Sequence, residues 1–369
     1  CSSDLFVLIE FFDAQGINIP KAKEKKIEGA FFKEDFRRAP INEIGTITYN
    51  NKALDAYAEG FEKLLRIRNS PRQFKIVIDY AYAVSGAVLP HLLSKLDCDV
   101  VVLNASLRQT PPSRSDREEL LTQLGSVVAA LKANLGVQMA ANGEQLVVVD
   151  EMGQPIQGER LTALMVEISL SANPRGLVVS PVQGSSAIDL IAQRHHAQVI
   201  RTKANPTALM EACCKNFGVV MGGSANTGFI FPQLHPGFDA MVSIAKLIEA
   251  LALKPQTLSE LTAGLPQVYY RTEHMRCPWN QKGTLMRHLV ETHPTEQLEL
   301  IDGVKIKHLT KPNHWLLVLP DADEPLIHLV ANGCDRHWVD QILQDYRHRL
   351  QVYESLEESL ELSLDGSSP

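Results

Sequence analysis

The sequence predicts consecutive mixed α/β domains followed by a smaller α+β domain at the C-terminal end. Three observations carry that expectation. From Leu54 to Leu103, helical and buried-strand patterns alternate, as they do where strands pair in parallel through helical crossovers. After Asn173-Pro174-Arg175-Gly176 the same theme starts again. From Leu265 extended stretches and helices mix without strict alternation. A chain of 369 residues exceeds one compact core, so roughly two to four domains are expected.

Residues 1–50 hold a strand from Leu5 to Phe12, a turn at Asp13-Ala14-Gln15-Gly16 and a helix from Lys21 to Arg38. That is too little for a domain and reads as the remnant of one. In residues 51–171, a second domain, Leu54 to Ile67 is helical, Phe74 to Asp79 a buried strand, Gly86 to Leu96 a helix and Asp99 to Leu103 a strand. A helix from Asp116 to Leu135 follows, with Ser115 as its N-cap, then a strand from Leu146 to Asp150 and a turn at Glu151-Met152-Gly153-Gln154. Residues 172–264 form a third domain: strand Leu177 to Pro181, helix Ser185 to His195, strand Gln198 to Arg201, a glycine-tipped hairpin between Phe217 and Phe231, and a helix from Phe238 to Leu253. Residues 265–369 complete the chain with helices at Lys282 to Glu291 and Val339 to Tyr353 and a frayed Ser-rich tail after Leu360.

Composition excludes some functions. The 36 Lys and Arg are outnumbered by 43 Asp and Glu, giving a formal charge of −7. A polyanion is bound through a field of cations, so nucleic acid is not an expected partner. No apolar run approaches the ~20 residues that cross a bilayer, and no membrane partner is expected. The six cysteines show no CxxC spacing, which suits reduced thiols in a cytoplasm. Adjacent Cys213 and Cys214 read as two small buried residues on a helix. Cys1-Ser2-Ser3 would suit a processed lipoprotein, but the strand that follows leaves no tether, and a chain beginning inside a longer protein is the better explanation.

Several phrases, in order, carry a resemblance. They are Phe31-Phe32-Lys33-Glu34-Asp35-Phe36-Arg37-Arg38, Arg201-Thr202-Lys203, Met221-Gly222-Gly223 running to Phe229-Ile230-Phe231-Pro232, His235-Pro236-Gly237-Phe238-Asp239-Ala240, Asp302-Gly303-Val304-Lys305-Ile306 and Glu324-Pro325-Leu326. Together they resemble the α-D-phosphohexomutase superfamily of phosphomannomutases and phosphoglucomutases, especially members fused behind a mannose-1-phosphate guanylyltransferase domain. The resemblance implies three mixed α/β domains and a smaller α+β domain around one cleft, with this chain starting inside the first.

The resemblance also implies four catalytic elements that can be sought in this chain. The phosphoryl carrier, a serine in a Ser-His-Asn-Pro type loop, is absent from these residues. The Mg²⁺ loop, three aspartates at alternate positions and then an arginine, corresponds to Ala140-Ala141-Asn142-Gly143-Glu144-Gln145. Only Asn142 and Glu144 could ligate there, although octahedral Mg²⁺ wants about six oxygens. Asn-Gly at a hairpin tip explains the same residues without a metal. The sugar-selecting Gly-Gly-Glu reads Gly222-Gly223-Ser224-Ala225-Asn226, leaving Ser224 and Asn226 as hydroxyl contacts. The phosphate clamp, Arg-Pro-Ser-Gly-Thr-Glu-Pro in the family, reads Leu319-Pro320-Asp321-Ala322-Asp323-Glu324-Pro325. Asp321 and Asp323 replace its hydroxyls, and at ~4 Å each carboxylate opposes a phosphate by roughly 4 kcal/mol at an effective dielectric near 20. Lys203 is the family-like cation still in place, equally readable as a solvated loop charge.

Other chemistry has less support. His288, Glu291 and His293 are the densest set of metal-ligand types, but their spacing is not His-Glu-x-x-His and suits a surface helix end. No Gly-x-Ser-x-Gly elbow is present. Gly184-Ser185-Ser186 precedes a helix and could hold an anion, yet Ser there is ordinarily a cap. The sequence therefore reads first as a mutase-like module with altered catalytic motifs. It would be the C-terminal assembly or regulatory part of a sugar-nucleotide enzyme, partnered by an upstream nucleotidyltransferase domain that alone would make GDP-mannose. The alternatives are an active phosphohexomutase with its serine loop upstream, or a noncatalytic sensor of a sugar or sugar nucleotide. No cofactor is expected on the first reading, and Mg²⁺ on the mutase reading; a homo-oligomer is compatible with all three.

Overall fold

The computed structural model describes residues 9–46, 52–66, 74–82, 86, 88–93, 96, 98–106 and 114–365. The first half of the strand expected from Leu5 to Phe12 lies outside them. Its described end, Phe12, bridges to Asn18 across a turn that Asp13 closes by accepting the Gln15 and Ile17 amides. Helix α1 runs Lys21–Phe32. It stops six residues before the expected Arg38, because the chain turns at Glu34, whose φ is +52°. Helix α2 covers Lys52–Leu64.

The first sheet is built from β1 (Phe74–Asp79), β2 (Cys98–Leu103), β3 (Leu135–Met139), β4 (Leu146–Asp150) and β5 (Pro155–Ile156). Helix α3 (Leu89–Leu93) joins β1 to β2 and α4 (Arg114–Leu131) joins β2 to β3. These crossovers make β1 parallel to both neighbours, whereas β3, β4 and β5 are antiparallel in the order β2-β1-β3-β4-β5. Strand β1 is covered on both faces. Ile76 and Ile78 enter the main core, while Val77 packs with Leu124 and Val128 of α4. The sequence pattern predicts a third helix from Asp116 through Leu135 with Ser115 as its cap. In fact Ser115 lies inside α4, and the helix ends where Lys132 takes a φ of +49° and Ala133 N bonds back to Val128 O, so that Leu135 opens a strand.

Helix α5 (Gly158–Ala172) was not anticipated. Leu161 through Val166 are all buried, so it lacks the polar face that makes a helical period visible. The second sheet has β6 (Leu177–Pro181), β7 (Gln198–Thr202), β8 (Val219–Ser224) and β9 (Gly228–Ile230) in the order β7-β6-β8-β9. Helix α6 (Ala187–Arg194) joins β6 to β7 and α7 (Pro206–Lys215) joins β7 to β8, and β6 is parallel to both β7 and β8. On α7, Cys213 is buried as expected but Cys214 is exposed, since adjacent helical positions lie about 100° apart. Helix α8 (Ala240–Leu253) is capped by Asp239, which accepts the Val242 amide, and α9 is Leu258–Ala263. One core joins both sheets through α5 and α8: Ile76, Leu164, Met221 and Ile244 belong to the same cluster.

The last sheet is antiparallel, in the order β10-β14-β13-β12-β11. It comprises β10 (Tyr269–Arg276), β11 (Leu298–Glu299), β12 (Val304–Lys307), β13 (Trp315–Pro320) and β14 (Leu326–Gly333). Helices α10 (Trp279–Glu291) and α11 (Arg336–Asp365) bury Leu285, Leu289, Val339 and Leu343 against it. The tail expected to fray from Glu361 is helical through Asp365. Among the described residues no helix is long and apolar enough to cross a membrane. The fold is consecutive mixed α/β units followed by a sheet-rich α+β unit, as the sequence pattern predicts.

Candidate functional site

Parallel strands direct their C-terminal ends to one edge, and open α/β sheets collect ligands there. The β3–β4 turn, the β8–β9 turn, the end of β7 and the β13–β14 loop hold the residues that the family resemblance offers as binding or metal candidates: Asn142, Glu144, Ser224, Asn226, Asp321 and Asp323, together with Lys203.

The β3–β4 turn closes through Ala140 N to Gln145 O at 2.9 Å, with Gly143 at φ +74°. Asn142 and Glu144 face each other rather than a shared centre. Asn142 Nδ2 donates to Glu144 Oε2 at 2.6 Å, and Asn142 Oδ1 accepts from Glu144 N at 3.2 Å. Burial, and then the nearby Glu10 carboxylate, push the Glu144 carboxyl up to about 7. The turn thus offers one carboxylate, half of it protonated near neutrality. Among the described residues no group of three or more His, Cys, Asp and Glu is placed to hold a metal ion.

Gln145 Nε2 donates to Asn226 O at 2.8 Å, which fastens this turn to the β8–β9 turn. The approach is close enough to demand glycine at 228. A Cβ there would sit 2.5 Å from Glu144 O, on a backbone with φ +99°. Ser224 is buried, and its hydroxyl is shared with Thr227 Oγ1 at 3.1 Å. Asn226 is exposed. Behind the turn, Asp239 accepts from Tyr57 OH at 2.7 Å and lies 2.9 Å from His235 Nε2, while His235 Nδ1 accepts the Gly237 amide. With both ring nitrogens engaged, His235 supports the loop and offers no free base.

Lys203 stands exposed at the end of β7, beside Ala204, whose amide bonds to Asp302 of the last sheet at 2.9 Å. The Gly184-Ser185-Ser186 turn is already supplied with an acceptor for each amide. Ser185 N donates to Glu159 Oε2 at 2.7 Å and Ser186 N to Asn332 Oδ1 at 3.1 Å. An external anion is therefore met by an internal carboxylate at that helix start.

The β13–β14 loop has the most developed geometry. Asp321 Oδ1 accepts the backbone amides of Asp323 at 2.7 Å and Glu324 at 2.8 Å, and Oδ2 lies 2.8 Å from His328 Nε2. These bonds, led by the Asp323 amide, hold the Asp321 carboxyl down at about 2. His328 Nδ1 in turn lies 2.8 Å from His274 Nδ1, its cross-strand partner. The Lys282 ammonium, stacked 3.7 Å from the Trp279 ring centre, donates to Asp321 O at 2.7 Å and also to Glu324 O. Asp323 is ion-paired to Lys21 of α1.

The structure thus brings Asn142, Glu144 and Asn226 into one cluster and Asp321 and Asp323 into another. The N-terminal segment runs between them, with Glu10 facing Glu144 and Lys21 on Asp323. Lys21, Lys282, His274 and His328 were not singled out in the sequence. His274 and His328 become partners only through the β10–β14 register, and Lys282 only through the packing of α10. The histidines considered for zinc are apart from this edge: His293 bonds to Tyr346 OH at 2.6 Å and to Leu289 O at 2.8 Å.

Comparison with known proteins agrees with this architecture. The family model "Phosphoglucomutase/phosphomannomutase, alpha/beta/alpha domain II" matches residues 55–153, and that for domain III matches residues 157–269. A phosphoglucomutase/phosphomannomutase of Thermococcus kodakarensis is 31% identical over 330 residues, covering 88% of this chain and 71% of the relative. A probable phosphoglucosamine mutase of Methanosarcina barkeri is 28% identical over 340 residues, covering 91% and 75%. The crystal structure of a phosphoglucomutase/phosphomannomutase family protein from Burkholderia thailandensis matches with a TM-score of 0.76 at 20% identity, over 92% of this chain and 72% of that one.

Proposed function

We propose that this chain, which belongs to the phosphoglucomutase/phosphomannomutase family, does not grip a sugar phosphate in its last domain and acts as an assembly or regulatory module. One observation carries the reading: the Asp321 carboxylate lies on the two loop amides, of Asp323 and Glu324, that an incoming phosphate would need. An aspartate held at about 2 is anionic throughout the physiological range. A phosphate would have to displace it and then sit beside it, in a loop where Leu319 offers no cation.

The Mg²⁺ of the mutase reading fits the β3–β4 turn poorly. Ala140 has no side-chain ligand atom, Asn142 is spent on Glu144, and burial favours the protonated form of Glu144. The sequence resemblance to mutase regions behind a mannose-1-phosphate guanylyltransferase supports a sugar-nucleotide enzyme as the longer context. On that reading the upstream nucleotidyltransferase domain is the partner, the cytoplasm is the compartment, and residues 1–50, 51–171, 172–264 and 265–369 are the remnant, two α/β units and final unit of the mutase framework.

The relatives named mutases favour the second reading, an active phosphohexomutase. A coupled assay of the full-length protein with glucose 1-phosphate, mannose 1-phosphate or glucosamine 1-phosphate and Mg²⁺ separates the two. No turnover above the uncatalysed background is expected. Robust turnover lost on Glu144→Gln would defeat the first reading. A noncatalytic sugar sensor is a third reading, resting on the glycine hairpin with exposed Asn226 and buried Ser224 and on exposed Lys203 after β7. A thermal shift with unphosphorylated sugars or sugar nucleotides would mark it, and silence from all of them would dismiss it.

A further inference from the structure

The last sheet has two unlike edges. One is β11, a strand of two residues, and the other is β10, a strand of eight that pairs on one side with β14. The hydrogen bonds of β10 fix which way its backbone faces. Cys277 N donates to Pro325 O at 2.8 Å, one step beyond the Arg276–Leu326 pair. In an antiparallel ladder alternate residues turn both backbone groups to the same side. Arg271, Glu273 and Met275 therefore face β14, while Tyr270, Thr272, His274 and Arg276 turn N–H and C=O away from it. Among the described residues nothing bonds to those outward backbone groups, and Thr272, His274 and Arg276 are exposed. An open edge of this length is a template for another strand.

Charge says which strand fits. Arg271 and Glu273 flank Thr272 on the face that packs on α11, where Arg271 meets Asp340 at 2.7 Å and Glu273 meets Arg347. Set antiparallel to a second copy of itself, with Thr272 on the two-fold axis, β10 places each Arg271 opposite the other copy's Glu273. Moving the axis to Arg271 or to Glu273 puts like charges opposite each other, which is destabilising. Moving it further, to Tyr270 or His274, shortens the overlap and leaves both charges without an opposite partner. The strand is thus complementary to itself in one register, as a two-fold interface requires.

We propose that β10 joins β10 of a second copy of this chain, antiparallel about Thr272, so that the two last sheets run on as one. Tyr270 pairs with His274, Thr272 with Thr272 and His274 with Tyr270, about six backbone hydrogen bonds in all. The Arg271 and Glu273 side chains carry the ion pairs of α11 across the joint. The interface is independent of the proposed function, because it uses the rim of the sheet and no cleft loop.

The test is the association state of the whole chain by sedimentation equilibrium, and a dimer is expected. Thr272→Pro removes one outward N–H and no bond to β14, a change that edge strands tolerate. It should weaken the dimer by about tenfold or more, for two lost hydrogen bonds, with the circular dichroism spectrum unchanged. Thr272→Cys reads the register. The two Cα atoms of a hydrogen-bonded pair lie about 5.5 Å apart, within disulfide reach, so mild oxidation should link two copies through position 272. His274→Cys should not link them, because the two positions 274 would lie about 14 Å apart across the joint. The parent chain, oxidised alongside, sets the background from its native cysteines. A monomer at all concentrations, a dimer indifferent to Thr272→Pro, or linking through 274 as readily as through 272 would each overturn the proposal.

Discussion

Asp321 accepts two amides within one five-residue turn and faces the imidazole of His328 on β14. Replacing it with Ala should expose those amides, so that inorganic phosphate perturbs the Asp323 and Glu324 amide resonances in the variant and leaves the parent chain unaffected. Equal perturbation in both would remove the reason to regard the loop as self-occupied. The pH dependence follows the same group. Its folded value of about 2 is below the ordinary 3.8, so its contribution is complete above pH 4 and is lost as pH falls toward 2. Glu144 has the opposite sign. Its value rises from 4.5 to about 7, so ionising it costs stability progressively as pH climbs from 4.5 through 7. Glu144→Gln is therefore expected to raise the Tm at pH 8 and leave it unchanged at pH 4; the reverse pattern would contradict the burial argument.

At the scale of an element, α5 and α10 do different work. Leu164 is fully buried in the middle of α5, where the cores of two sheets meet. Leu164→Ala should cost about 2–5 kcal/mol in chemical denaturation, while a surface change on α1 such as Lys21→Ala, in an exposed pair, should cost under about 1 kcal/mol. Helix α10 acts through Lys282, which is 8% exposed and satisfies two loop carbonyls. Lys282→Met keeps the stem and removes the donor. A loss of about 1–3 kcal/mol is expected, with loosening of residues 321–324 seen as faster amide exchange there.

For the whole molecule, the last sheet has its own core and is tied to the second sheet mainly by polar groups. Asn332 is fully buried and joins Ser185, Ser186 and Asn313 O, at distances from 2.6 to 3.1 Å. Lys305 reaches across to Val182 O at 3.1 Å, and Trp315 and Val182 share a small apolar cluster. Asn332→Ala leaves several buried groups without partners, at about 1–3 kcal/mol each. Calorimetry should then resolve the last sheet as a separate, earlier transition. A single transition at the parent temperature would show that the apolar cluster alone holds the junction.

Local pattern made much of this molecule readable. Strands β1, β4 and β6 were legible to the residue because each is a short, mostly apolar run rich in β-branched residues, as in Ile76-Val77-Ile78. The loops at 140–145, 222–228 and 319–325 could be located by the order of their neighbouring phrases alone, and the residues they contain are facts of sequence. Only the tertiary structure decided what those residues touch. Whether Asp321 repels a ligand or replaces it depends on where two amides point, whether Asn142 serves a metal or Glu144 depends on one side-chain rotation, and whether His328 has a partner depends on strand register. Sequence specifies which groups exist, but a hydrogen bond is short and directional, so its partners are chosen by packing among residues far apart in the chain.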